Sequence, residues 1–355
     1  MIALGSKSAA LQDPASSRAS PVQQTKRSVK TVLDANATTK QLIESVRVSE
    51  SQAAKLCAAE QGTEAWLIAR RGSQARMSDG TLLSDKQLKE HGTAAPFRAA
   101  RLTASVFGTA LGHNKYASEE DLIKDMLWGT VQPNADMAYG SMMEDVACEV
   151  FEKMLFLLSG GATKVEHAGL MLDAPTLRCG TDPESGEAVY EGWAGTSPDG
   201  LVHVPCDTKV QLLEIKCPSR NKSNFYSDRN AHQRFCIPWY YYDQIQGIMG
   251  LRKLSTSYFV VYLPDRTQIL KYEFNAPYFK SLLNGLRDFW YTRYIPEALA
   301  CARGEIARGH LRADADLSTE LEDIHGSVER WIETELQEAA HALTKSVQED
   351  PSNSL

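Results

Sequence analysis

Hydrophobic positions recur most regularly between residues 141 and 158, where Ala147, Cys148, Phe151 and Leu155 form one stripe and Asp145, Glu149, Glu152 and Lys153 face away. Apolar residues three and four apart predict an amphipathic helix. Shorter helices are predicted from Gly62 to Arg71, from a Thr103 cap to Gly112, and from Ser118 to Gly129, where Glu119, Glu120 and Asp121 follow the cap. A hydroxyl at the cap satisfies exposed amides, and acids in the first turn suit the helix dipole. Strands are predicted from Gly169 to Leu172, Leu201 to Val204, Leu212 to Cys217, Ser257 to Leu263 and Gln268 to Phe274. The last two flank the turn Pro264-Asp265-Arg266-Thr267, which reads as a hairpin. One helix, from Trp239 to Leu251, separates strands, and two more, near 278 to 300 and 317 to 346, close the chain. The pattern predicts an α/β core with a central mixed β-sheet flanked by helices.

Periodicity fails in two places. Residues 1 to about 33 are rich in Ala and Ser and carry five cations against one acid, Asp13. Such a segment cannot build a core, and its composition fits a disordered tail or an organelle transit peptide equally. Residues 72 to 100 are polar and weakly periodic, which reads as an insertion or long loop. The expected division is thus an N-terminal segment over 1–50, a central domain over 51–303 containing that insertion, and a helical extension over 304–355. An intracellular location is expected, with an organelle or the nucleus if the first segment is a targeting peptide.

Composition narrows the classes. Of 355 residues, 43% are hydrophobic and 23% charged, as in ordinary globular proteins, and no apolar run approaches a membrane span. The seven cysteines are scattered without a C-x-x-C pair, so reduced thiols are expected rather than a zinc or iron–sulfur site. A net charge of −7 argues against a protein that coats nucleic acid indiscriminately. A local basic track is still available in Lys216, Arg220, Lys222, Arg229 and Arg234.

Candidate chemistry gathers in Ser197-Pro198-Asp199-Gly200-Leu201 and Leu213-Glu214-Ile215-Lys216-Cys217-Pro218. Side chains two apart on a strand share a face, so Glu214 and Lys216 point one way and Leu213, Ile215 and Cys217 the other. Asp199 lies beside Glu214 if the two strands pair. Glu144 falls on the apolar stripe of its helix, where a carboxylate is costly unless paired or bound to a metal. Carboxylates hold a hard cation that polarises a phosphodiester, and a lysine orients water or neutralises charge. An isolated E-x-K or an Asp in a turn is commonplace.

The order of these elements is more specific. Glu144 in a helix, Asp199 after a proline, Glu214-x-Lys216 on a strand and Gln244 in a helix resemble the PD-(D/E)xK nuclease superfamily. Within it, Arg101-Leu102-Thr103-Ala104-Ser105, Tyr139-Gly140 before Glu144, Ser197 to Leu201, Leu213 to Pro218 and Tyr241 to Gln246 resemble motifs of the phage lambda exonuclease and YqaJ viral recombinase family. Glu60 to Trp66, followed by Arg70, looks like its N-terminal helix. The likeness spans roughly residues 55 to 300 and implies a restriction-endonuclease-like core.

The resemblance implies roles. Glu144, Asp199, Glu214 and the main-chain carbonyl of Ile215 would bind one or two Mg2+ ions, with Mn2+ as a substitute. Lys216 would position the attacking water, and Gln244, on a helix face with Tyr241 and Ile248, would support Lys216 or that water. Gln246, on another face, reads as structural. Arg70 and Ser105 resemble residues that hold a terminal 5′-phosphate. About thirty residues separate Arg70 from Arg101, where the family has only a few. Arg71, Arg98 and Arg101 are therefore alternatives for that role. The implied activity is a metal-dependent exonuclease acting 5′ to 3′ on duplex DNA ends in recombination or repair. A structure-specific endonuclease and a non-catalytic DNA-binding module are the alternatives. Homo-oligomers and a single-strand annealing partner are further implications of the family.

Overall fold

The run Gln211–Lys216 is buried at every position but its last, with Gln211 and Glu214 included, and such burial of both faces belongs to a central strand. In the computed structural model it becomes the middle strand of a mixed sheet. The structure describes residues 36–59, 61–72, 99–131, 134–159, 161, 164–204, 209–219, 237–263 and 266–312. The N-terminal Ala/Ser segment before residue 36, most of the expected insertion, the basic window from Arg220 to Arg234 and the expected 317–346 helix lie outside these residues.

In chain order the helices are α1 (Thr39–Glu44), α2 (Glu50–Ala58), α3 (Glu64–Arg71), α4 (Phe107–Ala110), α5 (Glu119–Trp128), α6 (Ala135–Ser159), α7 (Trp239–Arg252), α8 (Ala276–Asp288) and α9 (Ile295–Arg303). The strands are β1 (Val48–Ser49), β2 (Leu102–Thr103), β3 (Lys164–Glu166), β4 (Arg178–Thr181), β5 (Ala188–Tyr190), β6 (Ala194–Gly195), β7 (Gly200–His203), β8 (Gln211–Lys216), β9 (Thr256–Leu263) and β10 (Arg266–Glu273). The main sheet runs β10-β9-β8-β7-β3. Among the described strands of this sheet only the β8–β9 pair is parallel, and α7 makes the crossover it requires. A three-stranded sheet, β1-β5-β4, and a parallel pair, β2–β6, lie outside this sheet.

Side-chain alternation along β8 assigns its faces. Leu213 and Ile215 pack with Ala147, Cys148, Phe151 and Leu155 of α6. Leu212 joins Ile245, Ile248 and Met249 of α7 in the larger core. The sheet is therefore sandwiched between α6 and α7, and the α/β expectation holds. The stripe read from the sequence is the buried one, although α6 begins at Ala135, earlier than expected.

Several expectations are corrected. Gly169 to Leu172 is no strand; it makes a single bridge, Met171 to Thr196. The amides of Gly169 and Leu170 are taken by the carbonyls of Cys57 and Leu56 at the end of α2. That contact needs glycine, since a Cβ on Gly169 would sit 2.3 Å from the Ala59 carbonyl oxygen. The single helix expected from 278 to 300 is divided by a π-helical segment, Phe289–Tyr294. Pro296 follows it and has no N–H for the carbonyl one turn earlier. The packed body also exceeds the expected 51–303 limits: Leu42 and Val46 are core residues, and Arg312 donates to the buried Glu297 carboxylate.

Candidate active site

Asp199 immediately precedes β7, and β7 pairs antiparallel with β8 with Gly200 opposite Leu213. This register puts the Asp199 carboxylate where Oδ2 accepts the Ile215 amide at 2.6 Å. Asp199 thus lies beside Glu214, as strand pairing predicted. Glu214 is 1% exposed. Its Oε1 accepts from both Lys216 Nζ and Gln244 Nε2. Gln244 reaches it from α7, so its amide supports Glu214 rather than Lys216. Gln246 is structural: it donates to the Glu273 carbonyl and accepts the Asn275 amide at 2.9 and 2.8 Å.

Lys216 and Glu214 do not occupy a face free of core, because Leu212 on the same side is fully buried under α7. Core and site share one surface, divided along the strand. Glu144 comes from the opposite layer. The first half of α6 passes the end of β8, with a Cβ on Gly140 3.8 Å from the Cys217 carbonyl oxygen. Glu144 is half-buried there and feels both Asp199 and Lys216.

The electrostatics of this group are unbalanced. Burial, then the charge of Asp199, pushes Glu214 up to about 8. The same causes, in the same order, push Glu144 up to about 7. Burial also raises Asp199. Burial opposes the charge on Lys216, but Glu214 and Asp199 outweigh it and push that ammonium upward. Among the described residues one lysine faces three carboxylates, with His167 adding a favourable charge only toward Asp199, so carboxylates outnumber cations there.

The second oxygen of Glu214, Oε2, is buried with no hydrogen-bond partner among the described residues. An orphaned carboxylate oxygen is expensive, and a hard cation is a partner that suits it. Among the described residues no three His, Cys, Asp or Glu side chains stand as a metal-holding group in their present rotamers. Lys216 and Gln244 draw Oε1 of Glu214, and the Ile215 amide draws Asp199. The donor set, three carboxylates and a main-chain carbonyl, nevertheless fits a divalent cation.

A second cluster joins α3 to the segment after β2. Arg70 donates through Nε to Thr103 Oγ1 at 3.1 Å and through Nη2 to Ser105 Oγ at 2.8 Å. Its guanidinium carbon lies 5.2 Å from the Trp66 ring centroid. Burial, then the charge of Arg71, lowers Arg70 to about 10. Thr103 therefore makes no side-chain cap, contrary to expectation; its hydroxyl is spent on Arg70. Ser105 lies in a 3₁₀ turn, Ala104–Val106, rather than the first turn of an α-helix. Two of the alternatives to Arg70 are committed elsewhere. Arg71 pairs with Asp125. Arg101, 3% exposed, donates to the carbonyls of Ala69, Val46 and Gly192. Arg98 lies outside the described residues. The role of Thr103 was missed because a threonine before a helix reads first as a cap.

Comparison with known proteins gives a consistent picture. Residues 95–254 match the model of the YqaJ-like viral recombinase domain. That span contains Ser105, Glu144, Asp199, Glu214, Lys216 and Gln244 but not Arg70. No curated protein matches. Among solved structures, the chain is similar to an alkaline exonuclease (LHK-Exo) from Laribacter hongkongensis at 20% identity, TM-score 0.42, covering 76% of this chain and 99% of that one. A complex of LHK-Exo with dAMP matches at 22% identity, TM-score 0.39, covering 65% and 94%. A phage-related exonuclease from Haemophilus somnus matches at 13% identity, TM-score 0.35, covering 58% and 95%. Residues 95–254 are therefore similar to the YqaJ-like viral recombinase domain, over somewhat less than half of the chain.

Proposed function

We propose that this chain is a divalent-metal-dependent DNA exonuclease that degrades one strand of duplex DNA from a 5′ end, in recombination or repair. The observation that carries the reading is the orphaned Glu214 Oε2 in a group of carboxylates with too little countercharge. Glu144, Asp199 and Glu214, with the carbonyl of Ile215, would hold magnesium or manganese. When bound, such an ion polarises the scissile phosphate and acidifies a water.

The remaining work falls to the chain. Lys216, kept protonated by Glu214 and Asp199, donates to the attacking water or to the charge growing on the phosphate, rather than acting as a base. Gln244 fixes the rotamer of Glu214. Arg70 and Ser105 converge as donors for a terminal 5′-phosphate, a group that guanidinium binds bidentately. This second cluster supports end recognition and the 5′ polarity.

The test is digestion of matched linear and closed circular duplex in magnesium, with 5′-phosphate and 5′-hydroxyl ends compared. Stepwise loss from phosphorylated linear ends is expected. Cutting of closed circles with no preference for ends would make the protein an endonuclease. Tight binding without hydrolysis in magnesium or manganese would reduce it to a DNA-binding module.

A further inference from the structure

An unbroken series of rings leads from the catalytic lysine to solvent. Lys216 Nζ lies 5.3 Å from the Tyr241 ring centroid. Tyr241 meets Tyr240 at 4.4 Å, and Tyr240 meets Tyr116 edge-on at 6.4 Å. Tyr116 is 73% exposed, and Lys115 Nζ stands 5.3 Å from its ring. The first two tyrosines belong to α7, the helix that also supplies Gln244 to Glu214. The third belongs to the loop between α4 and α5.

A large exposed aromatic is usually incidental. This one is held out by its surroundings. The Asn114 side chain donates to Thr109 Oγ1 at 2.9 Å and accepts the Tyr116 amide at 3.0 Å. The His113 amide donates to the Gly108 carbonyl at 2.8 Å, and His113 Nδ1 lies 2.9 Å from the fully buried Asp243 carboxylate on α7. Gly108 lets α4 touch α7 directly: a Cβ there would fall 2.4 Å from the Tyr240 Cα. Residues 113 to 116 are thus tied to the same helix that carries the inner rings.

We propose that Tyr116 and Tyr240 form a stacking platform for an unpaired nucleobase of the DNA strand that passes Lys216. The proposal rests on the reading that the chain acts on DNA. A ring fixed before binding loses little entropy when a base stacks on it, and every base presents a π face, so sequence is immaterial. A strand leaving Lys216 along this series finds aromatic faces inside and a cation at the rim. That order suits a phosphate-linked chain of bases better than an apolar peptide.

The experiment uses the full chain in EDTA, so that nothing is cut. A duplex with a single-stranded extension carrying 2-aminopurine reports stacking through its fluorescence. Wild type should quench the probe on binding. Tyr116→Ala should lose most of the quench and weaken binding about tenfold, whereas Tyr116→Trp should keep both. Phe156→Ala, which removes another exposed aromatic on α6, should behave as wild type. Unchanged quenching in Tyr116→Ala overturns the proposal, and so does absence of DNA binding by wild type. If Tyr116→Ala loses the quench but wild type cuts nothing in magnesium, the platform stands and the nuclease reading falls.

Discussion

Two clusters in this protein hold charge in opposite ways. Around Glu214 the protein buries carboxylates and supplies one lysine, leaving an oxygen of Glu214 without a partner. Around Arg70 it half-buries a guanidinium and gives it two hydroxyls and an indole face. Arg71, the next residue, receives a carboxylate, Asp125. The first cluster is short of a cation and the second of an anion. Arg71–Asp125 is a closed ion pair, and the ligand roles proposed for Glu214 and Arg70 rest on their difference from it.

The sharpest break in this comparison is Lys216→Ala. Cleavage in magnesium should fall about a hundred- to a thousandfold, the usual cost of a donor aimed at transition-state charge. The substitution also strips Glu214 of its countercharge, so thermal stability should fall as well, by about 3 kcal/mol. Retained activity would refute the assignment. Arg70→Ala comes next: the preference for 5′-phosphorylated over 5′-hydroxyl ends should drop about thirtyfold, with cleavage of an end lacking phosphate little changed. Arg70→Lys should not restore it, because an ammonium lacks the planar fork.

Arg101→Ala sharpens the contrast from the other side. Losing donors to three carbonyls should cost about 2–4 kcal/mol in denaturant unfolding while leaving end preference in the folded fraction unchanged. The smallest effect is in pH. Glu144 and Glu214 sit above their ordinary 4.5, so the folded metal-free chain holds more protons than the unfolded chain between about pH 5 and 8. Its stability should therefore fall as pH rises through that window, with a midpoint shift on the order of 5 °C in melting scans with EDTA. Magnesium should flatten the slope; an equal slope with and without it would detach these carboxylates from metal.

What was legible in the sequence followed strong periodicity. The α6 stripe, the β8 alternation and the β9–β10 pair came through because each buries a regular face. That Asp199, Glu214 and Lys216 lie close together was legible because strand alternation and pairing dictate which side chains are neighbours. The missing parts depend on contacts distant in sequence. Gly169 to Leu172 looks like a strand until the end of α2 claims its amides. Nothing local says that the Thr103 hydroxyl serves an arginine 33 positions away. Nor does local pattern show that Gln244 bonds Glu214, since one helix face allows either target.

The two ends of the segment between Arg70 and Arg101 meet: the Arg101 amide donates to the Arg70 carbonyl at 3.0 Å, and the Arg101 guanidinium donates to the Ala69 carbonyl. The intervening chain leaves and returns through one stitched gate. The entropic cost of closing such a loop grows only logarithmically with its length. Residues can accumulate between these two arginines, or be lost, with little strain passed to Ser105. The phosphate-binding role proposed for Arg70 and Ser105 therefore does not depend on how many residues separate Arg70 from Arg101.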